Sequence, residues 1–130
     1  MRLAPVRVAV VDDDASVRKA LARLLGTLNC SVRSYASAED FLDSLQYTSP
    51  DCLIVDLQMP GMTGLELQLH LLRTGVRIPT IVITAHGELL LRKQCEAAGA
   101  VAYLLKPFED RILLEALRKT TQMVTARCDR

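Results

Sequence analysis

Five residues could do chemistry together if the fold brings them to one place. Asp12 and Asp13 stop a run of valines, Asp56 stops a second apolar run, and Thr84 and Lys106 each close a later apolar stretch. Three carboxylates in one crevice repel one another, so they either take up protons or bind a hard cation, and oxygen ligands with open positions suit Mg2+. A hydroxyl donor and a fixed positive charge on the same rim complete the surroundings of a phosphoryl group, where positioning and charge neutralisation do most of the work. In that setting Asp56 is the nucleophile that becomes an acyl phosphate. Taken alone, Asp56 is an acid beside the Pro60-Gly61 turn, and each of the others is an ordinary strand-end or loop residue.

Apolar periodicity predicts the elements that would carry them. Val6, Val8, Ala9, Val10 and Val11 form a β-branched first strand that breaks at three aspartates. From Ala15, the residues Val17, Leu21, Leu24, Leu25 and Leu28 recur at helical spacing opposite Arg18, Lys19 and Arg23, which predicts a helix stopping near Asn29. Asp14 suits the cap of that helix better than a metal site. Ser31 to Tyr35 reads as a second strand, and Ser37 followed by Asp40 resembles a capping box opening a helix through Phe41, Leu42 and Leu45.

Leu53, Ile54 and Val55 lead to Asp56 as a strand buried on both faces, followed by a leucine-rich helix from about Gly64 to Arg73 closed by Gly75. A fourth strand covers 79–84, a helical segment reaches Ala98 with Gly99 in the left-handed position beyond it, and a fifth strand covers 101–105. Lys106-Pro107 ends that strand. Ile112, Leu113, Ala116, Leu117, Met123 and Val124 then mark a last amphipathic helix that frays toward Arg130.

Strands and helices alternating in this way predict an α/β, doubly wound, five-stranded parallel sheet in the order 2-1-3-4-5 with five helices, flavodoxin-like. The order switches direction between strands one and three, and ligands bind beyond the strand C-termini at such a switch. Asp12 and Asp13 leave one side of it and Asp56 the other.

The 130 residues carry a formal net charge of +1 and are 50% hydrophobic, which fits one soluble domain without a basic field for nucleic acid or anionic membrane. The N-terminal apolar stretch is too short for a signal peptide or a membrane span, so a cytoplasmic location is the default. Cys30, Cys52, Cys95 and Cys128 form no CxxC pair and read as reduced thiols rather than bridges or zinc ligands. His86 stands in a turn beside Gly87 without a partnered acid and reads as a loop residue. Leu89, Leu90 and Leu91 cannot all face the core side of one helix, so at least one should be exposed.

Four stretches carry a family resemblance. Val11-Asp12-Asp13-Asp14, Asp56-Leu-Gln-Met-Pro-Gly-Met-Thr-Gly64, Ile83-Thr84-Ala85-His86-Gly87, and Ala98-Gly-Ala100 leading to Tyr103-Leu-Leu-Lys-Pro-Phe108 stand in a characteristic order and spacing. Over roughly residues 6 to 120 the chain resembles the receiver domain of bacterial two-component response regulators, in the style found in LuxR-like helix-turn-helix transcription regulators.

The resemblance implies that Asp56 accepts a phosphoryl group from a histidine of a sensor kinase. It implies Mg2+ held by Asp13, Asp56 and the backbone carbonyl of Gln58, with Asp12 acting through a metal-bound water. It further implies that Thr84 hydrogen-bonds the phosphoryl oxygen, that Lys106 neutralises its charge, that Tyr103 swings from exposed to buried, and that the peptide before Pro107 is cis. The implied output is a changed surface on helix four, strand five and helix five, controlling transcription or docking a partner, with phosphorylation-dependent homodimerisation open. Residues 1–122 would be the receiver domain and 123–130 the end of the last helix or the start of a linker to an output domain, so these residues themselves would not bind nucleic acid or membrane.

A rival class is a metal-dependent phosphohydrolase using Asp12 or Asp14 as nucleophile, since Asp12-Asp13-Asp14 contains an Asp-x-Asp at the end of strand one. It explains less, because the Asp12-Asp13-Asp14 start is followed by Ala15-Ser16 where that class has x-Thr/Val, and only the single Asp56 stands where it needs a later acidic pair. Neither a Walker loop nor GxGxxG is present to suggest nucleotide binding.

Overall fold

A computed structural model describes the backbone of residues 6–128 and the side chains of residues 6–120. Strands and helices alternate along the chain as β1 (Arg7–Val11), α1 (Ala15–Gly26), β2 (Ser31–Tyr35), α2 (Ala38–Ser44), β3 (Cys52–Asp56), α3 (Gly64–Arg73), β4 (Thr80–Thr84), α4 (Leu89–Ala97), β5 (Ala100–Leu105) and α5 (Asp110–Cys128). The strands form one sheet in the order β2-β1-β3-β4-β5, and every pairing is parallel. This is the doubly wound, flavodoxin-like arrangement that the alternation predicts.

Because successive strand side chains point to opposite faces, each central strand feeds two cores. Val8 and Val10 of β1, Ile54 of β3 and Ile81 and Ile83 of β4 pack with Leu21 and Leu25 of α1 and Leu113 and Leu117 of α5. On the other face Ala9, Val11, Leu53, Val55 and Val82 pack with Phe41 of α2, Leu67 and Leu71 of α3 and Cys95 of α4. All residues of β3 and β4 are buried, as their unbroken apolar runs require, whereas β2 lies on the edge with Val32 and Tyr35 only half-buried.

Local caps set where the helices start. The Asp14 carboxylate accepts from the Ser16 N–H at 2.8 Å, and the Ser37 hydroxyl accepts from the Asp40 N–H at 3.1 Å. At α3 the capping is reciprocal: Thr63 Oγ1 accepts from the Glu66 N–H at 3.2 Å while Glu66 Oε1 accepts from the Thr63 N–H at 2.9 Å.

The helix expected to stop near Asn29 ends at Gly26, and Leu28, expected on its apolar face, is 46% exposed. The Thr27 N–H closes the helix on the Arg23 and Leu24 carbonyls, and Asn29 at φ 61° then turns the chain toward β2. Asparagine tolerates that left-handed conformation better than most residues. β5 begins at Ala100, one pairing earlier than the apolar pattern suggests, and α4 begins only at Leu89. Leu89 and Leu90 are exposed at 66% and 70%, while Leu91 packs against the second core. The expected apolar contributions of Met123 and Val124, the state of Cys128 and the fine structure of 123–130 lie outside the described side chains. Among the described residues no helix is long and apolar enough to cross a membrane.

One glycine is dictated by packing next to Asp56. A Cβ on Gly64 would sit 2.5 Å from the Asp56 carbonyl oxygen and 2.9 Å from the Leu57 Cα, so backbone would have to move. A Cβ on Gly26 would meet nothing within 4 Å. Gly64→Ala should therefore lower stability by about 1–3 kcal/mol, whereas Gly26→Ala should be neutral or stabilising by up to about 1 kcal/mol. Urea unfolding midpoints of the two variants check this, and equal midpoints would show that the β3 to α3 turn has slack.

Candidate phosphoacceptor site

Strand register brings the acids together. Val11 of β1 lies opposite Val55 of β3, so the next residues, Asp12 and Asp56, leave adjacent strands side by side. Asp56 is flanked by Val55 and Leu57, both held in the core on the α2, α3 and α4 side, which turns its own side chain toward the α1 and α5 side. Asp12 continues the alternation of Val8 and Val10 to that same side. Carboxylate oxygens of Asp12, Asp13 and Asp56 all lie within 4.8 Å of one another. Asp12 is fully buried, Asp56 is 5% exposed and Asp13 faces solvent, so the cluster has a closed inner wall and an open outer edge.

Lys106 reaches the inner wall. Thr84 of β4 pairs with Leu105 of β5, which carries Lys106 just past the sheet edge, and its main-chain N–H donates to the Thr84 carbonyl at 2.7 Å. Its Nζ stands 3.1 Å from Asp12 Oδ2 and 3.6 Å from Asp56 Oδ1. The peptide between Lys106 and Pro107 is cis.

The remaining bonds define what each acid can still do. Asp12 Oδ1 accepts from the Asp14 N–H at 2.9 Å, so both of its oxygens are engaged. Asp56 Oδ1 accepts from the Gln58 N–H at 3.3 Å, and Asp56 Oδ2 has no such bond. Burial, and then the Asp12 charge, hold the Asp56 carboxyl above the ordinary carboxylate range, while Lys106 and the Gln58 N–H pull it the other way. Hard oxygen donors crowded this closely, with one of them open to solvent, fit a small divalent cation.

Thr84 ends β4, the strand next to that of Asp56, and Tyr103 stands on β5. Val82 and Tyr103 belong to the core under α4, and Thr84 shares the parity of Val82. The buried Thr84 hydroxyl accepts from the His86 N–H at 3.1 Å, which leaves its own hydrogen for another acceptor. The Tyr103 hydroxyl donates to the His86 carbonyl at 2.7 Å, and the ring is turned in, with only 9% of the residue exposed. The Arg92 guanidinium lies 5.9 Å from the ring centroid.

The sequence reading places Asp12, Asp13, Asp56, Thr84 and Lys106 at one end of the sheet, and the structure puts them there. Gln58 is present through its N–H. Three supporting groups escaped the sequence reading. The His86 main chain joins Thr84 to Tyr103, the Arg18 guanidinium donates to the Asp12 carbonyl at 2.8 Å, and Glu39 Oε2 accepts from the Met62 N–H at 3.2 Å beside the left-handed Gly61.

Residues 8–118 match the family model described as the response regulator receiver domain. Nodulation protein W of Bradyrhizobium diazoefficiens is 37% identical over 88% of this chain and 51% of its own length. The transcriptional regulatory protein FixJ of Rhizobium meliloti is 39% identical over 92% of this chain and 58% of its own length. The chain thus spans little more than half the length of these curated relatives. The crystal structure of FixJ-N superposes with a TM-score of 0.84 at 38% identity, covering 94% of this chain and 96% of that one. The motifs, the sheet order and these matches agree: the chain belongs to the response regulator receiver domain family, the phosphorylation-dependent switch of two-component signalling.

Proposed function

We propose that Asp56 is the phosphoacceptor and that a sensor histidine kinase is the donor. The observation that carries this reading is the Asp56 carboxylate itself, buried beside Asp12 and 3.6 Å from Lys106 Nζ, with Oδ2 uncommitted. In the transfer a carboxylate oxygen attacks phosphorus, the bond to the kinase imidazole nitrogen breaks with its electron pair leaving on that nitrogen, and an aspartyl phosphate forms. A Mg2+ ion, when bound, supplies charge neutralisation between the carboxylates and the phosphoryl oxygens. Asp13, Asp56 and the Gln58 carbonyl would hold it directly. Asp12, with both oxygens already engaged, would act through a water.

Lys106 then exchanges part of its pairing with the acids for the phosphoryl oxygens, and the uncommitted hydrogen of the Thr84 hydroxyl is available to the same group. Tyr103, tied to Thr84 through the His86 main chain, follows it as the switch residue. The surface that changes is that of α4, β5 and α5, where Leu89, Leu90 and Leu105 stand exposed. Transcription is the output that the printed name of FixJ supports. Residues 1–122 act as the receiver, residues 123–130 as the end of the last helix or a linker, and the setting is cytoplasmic. The alternative output is docking of the domain alone to a partner, and a phosphorylation-dependent homodimer is one form the changed surface can take.

The rival phosphohydrolase has less support. Asp12 has no exposed surface and no uncommitted oxygen, and the Asp14 side chain is spent on the cap of α1.

Incubation with acetyl phosphate and Mg2+ should add the mass of one phosphoryl group, lost on hydroxylamine treatment, and Asp56→Asn should abolish the addition. Unchanged labelling of Asp56→Asn would sink the assignment. So would turnover of a phosphate ester that disappears in Asp12→Asn and persists in Asp56→Asn.

A second expectation follows from the raised Asp56 pKa. The folded protein takes up this proton at higher pH than the unfolded chain, so ionised Asp56 opposes folding at neutral pH and the penalty is relieved as pH falls through its folded value. In chelator-containing buffer, Asp56→Asn should be more stable than wild type near about pH 7.5, with the gap closing toward about pH 4. Urea midpoints across that range measure it. A gap that widens on acidification would mean that Lys106 outweighs burial and Asp12.

A further inference from the structure

At the end of the sheet opposite the acids, a cavity opens between the C-terminal turns of α3 and α4 and the starts of β4 and β5. It is open to solvent on one side, has a volume of about 490 Å3 and is walled chiefly by Leu71, Leu72, Val76, Ile78, Ala98 and Val101. A Cβ on Gly99, another lining residue, would meet nothing within 4 Å. The volume falls in the range of small-molecule sites, roughly 300–1,000 Å3, and the lining has their mostly apolar character.

Gln68 of α3 also lines this cavity and is only 3% exposed. Its Nε2 donates to the Cys95 carbonyl of α4 at 3.1 Å, which leaves Oε1 as the sole buried side-chain nitrogen or oxygen without a partner among the described residues. A buried acceptor without a donor costs free energy, so the site favours whatever supplies one. The other buried hydroxyl in the lining, that of Thr80, is spent on the Ile78 carbonyl at 2.8 Å. Arg77 is exposed at the rim and remains in water.

We propose that this cavity binds a small, uncharged, largely apolar molecule carrying one O–H or N–H, which donates to Gln68 Oε1. Oε1 itself has almost no accessible surface, so the terminal amide must turn toward the cavity to meet the donor, about a torsion with a broad minimum. The site does not depend on the phosphoacceptor chemistry and lies at the other end of the strands.

2-Naphthol and 2-methoxynaphthalene test this as a matched pair that differs in the donor. The chain contains no Trp, so naphthalene emission can be read directly, and amide resonances map the location. The wild type should bind 2-naphthol about three- to tenfold more tightly than the ether. The Gln68 side-chain amide and the Gly99 and Val101 resonances should shift. Gln68→Met should erase the preference while keeping the ether's affinity, and Leu72→Glu should weaken both probes.

Equal affinities in the wild type, or shifts confined to another part of the molecule, would overturn the proposal. If Gln68→Met does not fold, the wild-type Gln68 side-chain amide decides: it must respond to the naphthol more than to the ether. Concentration-dependent shifts of the same resonances without probe would assign the face to a second copy of the chain and also overturn it.

Discussion

Asp12 and Asp56 are carboxylates buried at the ends of neighbouring parallel strands, and Lys106 Nζ stands 3.1 Å from one and 3.6 Å from the other. Two such charges out of water are tolerable only when opposed by a cation and satisfied by further donors. The Asp14 and Gln58 N–H groups supply those donors, and the lysine supplies the charge. Even so, burial and mutual repulsion outweigh the lysine at Asp56, whose pKa is raised. The crevice is therefore held under electrostatic load, and a cation at its solvent-facing edge beside Asp13 would relieve that load. The rest of the fold, with two cores fixing the direction of every strand residue near these acids, serves to keep that load in place.

Much of this was legible in the sequence because the signals are periodic. The continuous apolar runs of β3 and β4 could only be strands covered on both faces, and the strand order followed from alternation with helices. What periodicity could not tell was where an element yields to its connection. Leu28 continues the α1 spacing, but the chain must reach the start of β2 within a few residues, so the helix ends at Gly26 and Leu28 is left in water. The reverse holds at the N-terminus of α3, where the Thr63 and Glu66 spacing by itself marks the capping box.

The site divides in the same way. Acids, a hydroxyl and a lysine at strand ends announce themselves by type and position. The groups that orient them are main-chain atoms or long side chains arriving from elsewhere, such as the His86 carbonyl, Arg18 and Glu39, and nothing in residue type marks a carbonyl as a hinge point. The exposed side chain of His86 is that of a loop residue, yet its main chain is the link between Thr84 and Tyr103. Gln68 is similar: a glutamine on a helix reads as surface, and only the packing of α3 against α4 buries it.

Tyr103 stands in the core under α4 while the acids point to the α1 and α5 side, which bears on how a charge event could be transmitted. Lys106 links the two, since its side chain pairs with the acids and its main-chain N–H donates to the Thr84 carbonyl at 2.7 Å. The ends of β4 and β5 thus give a bonded route from the acids to the Tyr103 ring. A route couples two sites only if its members have two discrete arrangements. Here the arrangement present is closed at every link: Thr84 to the His86 N–H, the His86 carbonyl to Tyr103, and the Tyr103 ring to Arg92, which is itself paired with Glu96 at 3.3 Å. Arg92 and Glu96 are exposed, so that last link is screened and weak. The weakest link of the route is therefore its last, at the exposed surface of α4.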